Sequence, residues 1–159
     1  MLKYFNSQVT FAEIPDEVTL CINISNCQIK CEGCHSKYLW NNIGELLTTR
    51  KLKSLIDKNI GISCVCFMGD GGNPSEITRL CRFIKDEYDN IKTACYLGED
   101  VLPKEIELPY LDYFKIGHFN GIPLNREGTN QRMYSVVCTS LGLNLVDITC
   151  KFWKYETEN

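Results

Sequence analysis

Apolar residues in this chain gather in short runs separated by stretches with helical spacing, and the two patterns alternate. EVTLCINI, residues 17 to 24, has the β-branched and apolar content of a buried strand. TTRKLKSLIDKNIG then sets Leu52, Leu55, Ile56 and Ile60 one turn apart on one helical face, with Gly61 as the stop. ISCVCFM, residues 62 to 68, predicts a second buried strand, which runs into the glycine-rich GDGGNP. SEITRLCRFIKDEY stripes Ile77, Leu80, Cys81 and Ile84 at helical spacing, and Ser75 is the expected N-cap. KTACYLG and LDYFKIG, the latter residues 111 to 117, predict two more strands. Strand, helix, strand, helix, strand is the order of right-handed βαβ units, so the expected class is α/β with a mostly parallel sheet. After Gly117, HFNGIPLNREGTNQR predicts a long loop, and loops of that length inside a compact domain are more often functional than idle. MYSVVCTSLGLNLVDITCKFW predicts two further strands around Gly142.

Composition narrows the class. With 159 residues the chain can bury one core and is short for two, so residues 1–159 are expected to form a single domain. Hydrophobic residues at 44% and charged residues at 23% are those of a globular chain. A net charge of -3 leaves no basic footprint for nucleic acid. MLKYFNSQVTFAEIP lacks the apolar core of a secretory signal, and no apolar run reaches membrane-spanning length. A cytoplasmic, reducing location is therefore expected, with the ten cysteines as thiols or metal ligands.

CQIKCEGCHSKYLW, residues 27 to 40, puts Cys27, Cys31 and Cys34 within eight residues of the loop after the first core strand. Three thiolates at that spacing can face one centre. Structural zinc takes four protein ligands, commonly as two distant pairs. No second pair stands out, although Cys64 and Cys66, two apart on one strand, could supply the rest. Iron–sulfur clusters are also held by cysteine thiolates, and three on a four-iron cluster leave one iron open for a ligand. Free cysteine is often a buried small hydrophobe, but Asn26, Lys30, Glu32 and Lys37 make the trio's loop polar. Cys21, Cys64, Cys66, Cys81, Cys95, Cys138 and Cys150 fall in strand or helix stripes and read as core residues. His35 could touch a ligand, tune a metal by hydrogen bonding, or be a solvated loop residue. Gly69, Gly71 and Gly72 allow positive φ and close approach of backbone to a ligand, at a strand end where open α/β sheets bind ligands. The segment lacks the lysine of a phosphate loop and the dinucleotide spacing.

The spacing C-x3-C-x2-C directly after a first strand resembles the radical S-adenosylmethionine superfamily. GDGGNP resembles that superfamily's segment for the cofactor's methionyl amino group, with Gly69, Asp70, Gly71, Gly72, Asn73 and Pro74 where Gly-Gly-Asp/Glu-Pro is usual. KIGHFNGIPLNREGTNQRMY, residues 115 to 134, resembles the C-terminal signature of the anaerobic ribonucleoside-triphosphate reductase-activating proteins, a G-x-F followed downstream by S-x-N-Q-R. The trailing KYLW, the short length and Gly33 before the third cysteine fit that family too. The resemblance spans residues 13 to 137 or so, most of the chain.

This resemblance implies a partial (βα) barrel of the radical S-adenosylmethionine type. Cys27, Cys31 and Cys34 would hold a 4Fe-4S cluster, and Gly33, His35, Gly69, Asp70, Gly71, Gly72 and Asn130 would contact S-adenosylmethionine. The reduced cluster would cleave the cofactor to a 5'-deoxyadenosyl radical, which would take hydrogen from a glycine Cα of the partner, anaerobic ribonucleoside-triphosphate reductase. No side chain need act as acid or base. A flavodoxin or ferredoxin is the implied electron donor, and a barrel this short would leave an open face for a macromolecular substrate. Activation of another glycyl-radical enzyme, radical chemistry on a small molecule, and a non-enzymatic iron–sulfur or zinc module remain open at this point.

Overall fold

The computed structural model describes residues 1–155. Its strands are β1 (Lys3–Thr10), β2 (Thr19–Ile24), β3 (Glu45–Leu46), β4 (Cys64–Met68), β5 (Lys92–Tyr96), β6 (Tyr113–Ile116), β7 (Arg132–Thr139) and β8 (Gly142–Asp147), with helices α1 (Thr49–Lys58) and α2 (Pro74–Glu87). All eight strands form one sheet in the order β3-β1-β2-β4-β5-β6-β7-β8. The class is α/β, as expected, but the sheet is not mostly parallel. β2, β4, β5 and β6 run parallel at its centre, whereas β3, β1, β7 and β8 pair antiparallel on the two sides. Connections explain part of the difference. α1 and α2 are long enough to carry the chain back for a parallel pair, while β1 to β2 and β7 to β8 turn directly into hairpins.

Alternation along the central strands divides the core between two faces. Leu20, Ile22 and Ile24 of β2 and Val65 and Phe67 of β4 meet Leu52, Ile56, Ile77, Leu80 and Ile84 of the helices. Cys21, Cys64, Cys66, Ala94 and Tyr96 point to the other face, closed by Ile14, Met133, Ile148 and Phe152. Both helices therefore cover one face, and a loop and a 3-10 turn at Thr149–Tyr155 cover the other.

Local expectations shift at several points. Thr48 caps α1 by accepting from the Lys51 N–H at 3.1 Å, and the Asn59 amide closes its end on the Leu55 carbonyl at 2.7 Å. Ile60 lies past that end and is 96% exposed, so it is not part of the helix's apolar face. Asn73, not Ser75, is the residue before α2, because Pro74 lacks an N–H and has its φ pre-set for a first helical position. Cys21, Cys64, Cys66, Cys81 and Cys95 are core residues as expected, but Cys138 and Cys150 are exposed. Cys138 lies on the β7–β8 hairpin, beyond the layers that bury the central strands.

At the opposite edge from the strand C-termini, Glu17 ties three elements together. Its buried carboxylate accepts from Ser63 Oγ at 2.5 Å, Lys92 Nζ at 2.6 Å and the Tyr113 hydroxyl at 2.9 Å. Burial raises its pKa, but the bonds from Lys92, Ser63 and Tyr113 outweigh this and leave it below the ordinary 4.5. A depressed carboxyl pKa stabilises the fold above the unfolded value, and that contribution is lost as pH falls through the folded one. The stability gap between wild type and Glu17→Gln, read from urea unfolding by circular dichroism, is expected to be largest at pH 6 and to narrow below 4.5. An equal gap at pH 6 and pH 3 would mean that the charge contributes nothing.

Candidate functional site

Because β2, β4, β5 and β6 are parallel, their C-terminal ends and the loops that follow them share one edge of the sheet. The cysteine loop follows β2, the glycine segment follows β4, LGED follows β5, and the long loop from Gly117 follows β6. This is where open sheets place ligands.

The cysteine loop is shaped by three left-handed residues, Asn26 (φ 66), Lys30 (φ 52) and Gly33 (φ 75). Its ends are tied by the Cys27 N–H to the Leu39 carbonyl at 2.9 Å and the Asn26 N–H to the Asn41 carbonyl at 3.0 Å. The KYLW segment is a 3-10 turn, Lys37–Trp40, that buries Leu39 beneath this tie. Cys27, Cys31 and Cys34 are all half-buried free thiols. Two of the sulfurs receive backbone N–H groups: Phe119 donates to Cys31 Sγ at 3.4 Å and Ser36 to Cys34 Sγ at 3.3 Å. Phe119 also faces Gly33, where an added Cβ would lie 3.6 Å from its ring, and its centroid is 5.9 Å from that of His35. The long loop after β6 thus lies over the cysteine loop. Gly33 and His35 are brought to the trio, on its exposed side.

Three thiols on one loop, with N–H donors on two sulfurs, suit an iron–sulfur centre, whose properties depend on hydrogen bonds to sulfur. Among the described residues no group of three or more His, Cys, Asp or Glu is gathered closely enough to hold a metal ion. One tetrahedral zinc would need its sulfurs about 3.8 Å apart, given Zn–S bonds of about 2.3 Å. A four-iron cube takes one thiolate at each of three corners and so asks for a wider triangle. Cys64 and Cys66 do not complete a set with the trio: both are fully buried in β4, where burial above all pushes their thiols up.

The glycine segment packs directly against the cysteine loop. A Cβ at Gly71 would lie 2.9 Å from the Ser25 carbonyl oxygen, and one at Gly72 would lie 2.9 Å from Gln28 Cγ. The Asn26 amide donates to the Gly71 carbonyl at 3.2 Å. Gly71 and Gly72 therefore let two loops touch, a packing role beside any ligand role. Asp70 Oδ1 accepts from the Gly72 N–H at 2.8 Å, while its Oδ2 is buried without a partner. Glu99, after β5, also has a buried partnerless oxygen, Oε2. Burial, then the charge of Asp70, raises the Glu99 pKa from 4.5 to about 7. Buried polar atoms are seldom left unpaired, so these two neighbouring oxygens call for a shared proton or a cationic ligand group.

Asn130 is exposed, and its amide donates to Asp100 Oδ1 at 3.0 Å and to the His118 carbonyl at 3.1 Å. His118 Nδ1 lies 2.7 Å from the same Asp100 oxygen. These bonds pin the far end of the long loop to the β5 end, so Asn130 is used as a tie within the protein. Gln131 is buried beside it, and Arg132 opens β7. The Lys115 side chain, on β6, has no hydrogen-bond or ion-pair partner among the described residues, and its Nζ lies 4.5 Å over the Tyr96 ring; burial lowers its pKa. Sequence reasoning singled out neither Glu99 nor Lys115, since a glutamate in LGED and a lysine in a short strand carry no spacing signal. Phe119 was within reach, as the aromatic of the quoted G-x-F. A cavity of about 660 Å³ lined by Phe11, Pro15, Asp16, Asn125, Lys151 and Phe152 involves none of these residues. Among the described residues no helix is long and apolar enough to cross a membrane.

Comparison of the chain with family models, with curated proteins and with solved structures found no match.

Proposed function

We propose that this chain is a radical S-adenosylmethionine activating enzyme that installs the glycyl radical of anaerobic ribonucleoside-triphosphate reductase, within a partial (βα) barrel. What supports the reading is one juxtaposition: a loop of three half-buried thiols and a pair of partnerless buried carboxyl oxygens, at the ends of the same parallel strands. When bound, a reduced 4Fe-4S cluster and S-adenosylmethionine supply a 5'-deoxyadenosyl radical able to take hydrogen from a glycine Cα.

The chain's own residues would bind and orient. Cys27, Cys31 and Cys34 would hold the cluster, and the N–H groups of Phe119 and Ser36 would stabilise negative charge on two of the sulfurs. Asp70 Oδ2 would take the methionyl ammonium, its other oxygen being held by Gly72. Phe119 and the loop that carries it would exclude water from the cysteine side. The sheet face opposite the helices, closed among the described residues by a loop and a 3-10 turn, offers the side from which a protein substrate could present its glycine. A flavodoxin or ferredoxin would deliver the electron.

The test is anaerobic reconstitution with iron and sulfide, dithionite reduction, and electron paramagnetic resonance with and without S-adenosylmethionine, followed by incubation with the reductase. A 4Fe-4S signal that changes with the cofactor, then a glycyl radical doublet on the reductase, is the expected result. Uptake of zinc alone, or a cluster whose spectrum ignores the cofactor, would sink the reading and leave a structural or electron-transfer site.

A further inference from the structure

The orphaned carboxyl oxygens of Asp70 and Glu99 come from neighbouring strands locked in register. The Gly69 N–H donates to the Tyr96 carbonyl at 2.8 Å, which fixes the β4 end against the β5 end. The Glu99 carbonyl in turn accepts from the Gly117 N–H at 2.6 Å, which fixes its backbone to the β6 end. These bonds fix the backbone that carries each carboxyl, and Glu99 itself is half-buried. Asp70 is 8% exposed, and among the described residues neither acid has a salt-bridge partner. The other ionisable groups near them offer no cation. Cys95, beneath them on β5, is a thiol raised by burial and then by the charges of its neighbours, including Asp70 and Glu99. Asp100 is bound to His118 and Asn130.

We propose that Asp70 and Glu99 form a proton-linked seat for a primary ammonium group, in which Glu99 holds a proton while the seat is empty and releases it when the cation enters. Two adjacent carboxyls, one buried and one half-buried, resist ionising together without a counter-charge. In the empty seat the Glu99 O–H supplies the missing donor. On binding, that O–H bond breaks, the proton passes to solvent, and the carboxylate accepts an N–H from the ligand. An ammonium, with three donors, suits two partnerless oxygens better than a hard cation such as Mg2+ or Ca2+, which asks for six or more oxygen ligands. The raised pKa of Glu99, about 7, agrees with a proton kept at neutral pH. The inference rests on the cofactor reading above, because the ammonium it assigns is the methionyl one.

The experiment is anaerobic calorimetric titration of the reconstituted protein with S-adenosylmethionine between pH 5.5 and 7.5, in buffers of different ionisation heat. Over most of this range the ligand's α-amino group, ordinarily near 7.7–8.0, stays protonated. Cation binding that expels a proton tightens as pH rises until the free seat is ionised, so wild-type affinity should climb by up to about tenfold per unit below the Glu99 pKa. Proton release should approach one per ligand at the acid end. Glu99→Gln should bind with flat pH dependence and no proton release, and at pH 7.5 about tenfold or more weakly than wild type. Wild-type proton release is itself diagnostic, should the variant fold poorly.

Ligand-free melting temperatures add a second arm. A raised carboxyl pKa contributes stability below the ordinary 4.5 that is lost as pH rises through about 7. Glu99→Gln should therefore melt above wild type at pH 8 and level with it at pH 4. Cofactor binding without proton release, and equal in the variant, would overturn the proton-linked seat and leave the cofactor reading standing. Failure of reconstituted wild type to bind the cofactor at all would overturn both.

Discussion

Cys31→Ala is expected to remain folded and, on the proposed function, to lose the four-iron cluster entirely. Its sulfur is half-buried on a loop, so truncation removes little packed surface and should cost no more than about 1 kcal/mol of stability. The metal consequence is much larger, because two thiolates cannot hold three corners of a cube. Iron and sulfide content after anaerobic reconstitution, read with the electron paramagnetic resonance spectrum, checks this. Two controls separate ligation from packing. Cys138→Ala, at an exposed position, should leave both cluster and stability unchanged. Cys64→Ala, in the β4 core, should lower stability and leave cluster content intact. Equal cluster yield in Cys31→Ala and wild type would remove the trio from any metal role.

Gly117→Ala is expected to be strongly damaging for a single-methyl change. Gly117 has φ +103, and an added Cβ would stand 2.5 Å from the Asn130 carbonyl oxygen and 3.0 Å from Gln131 Cα. The close neighbours are backbone, so no side chain can turn away. Left-handed strain of about 1–2 kcal/mol adds to an overpacking cost of about 1–3 kcal/mol, for a loss of about 3 kcal/mol. In a chain of this length that corresponds to a melting temperature lower by roughly 6–12 °C. A second effect follows from position. Gly117 begins the loop whose Phe119 N–H reaches Cys31 and whose far end is tied through Asn130 to Asp100. Displacing it should loosen the cover on the trio, read as faster loss of the reconstituted cluster in air. Wild-type melting and wild-type cluster lifetime in the variant would show that the two loops do not need this contact.

Much of the interior was legible in short runs. TLCINI, CVCFM and KTACY are apolar enough to be buried on both faces, and the stripes of Leu52 with Ile56 and of Ile77, Leu80, Cys81 and Ile84 are buried as helical periodicity requires. β1 was not legible: in KYFNSQVT only Tyr4 is buried, so no alternation marks it. β3 is two residues long and has no pattern of its own. Cys138 and Cys150 carry the same local signal as the buried cysteines and differ only in how far the layers of the core extend.

The candidate site divides along the same line. Spacing alone singled out Cys27, Cys31 and Cys34, and glycine content alone singled out residues 69 to 72, because a covalent chain sets how near such neighbours must be. The packing of Gly71 and Gly72 against the cysteine loop, the N–H of Phe119 on Cys31, the use of Asn130 as a tie, and the meeting of Asp70 with Glu99 follow from no local pattern. By itself the sequence determined which segments are strands and helices in the core and which loop carries the thiols, since those depend on periodicity within ten or so residues. Only the tertiary structure decided that the sheet is mixed and that four loops share one edge with two buried carboxyls between them. Strand order and direction are set by long-range pairing, and a carboxyl's partners, or lack of them, exist only once distant strands lie side by side.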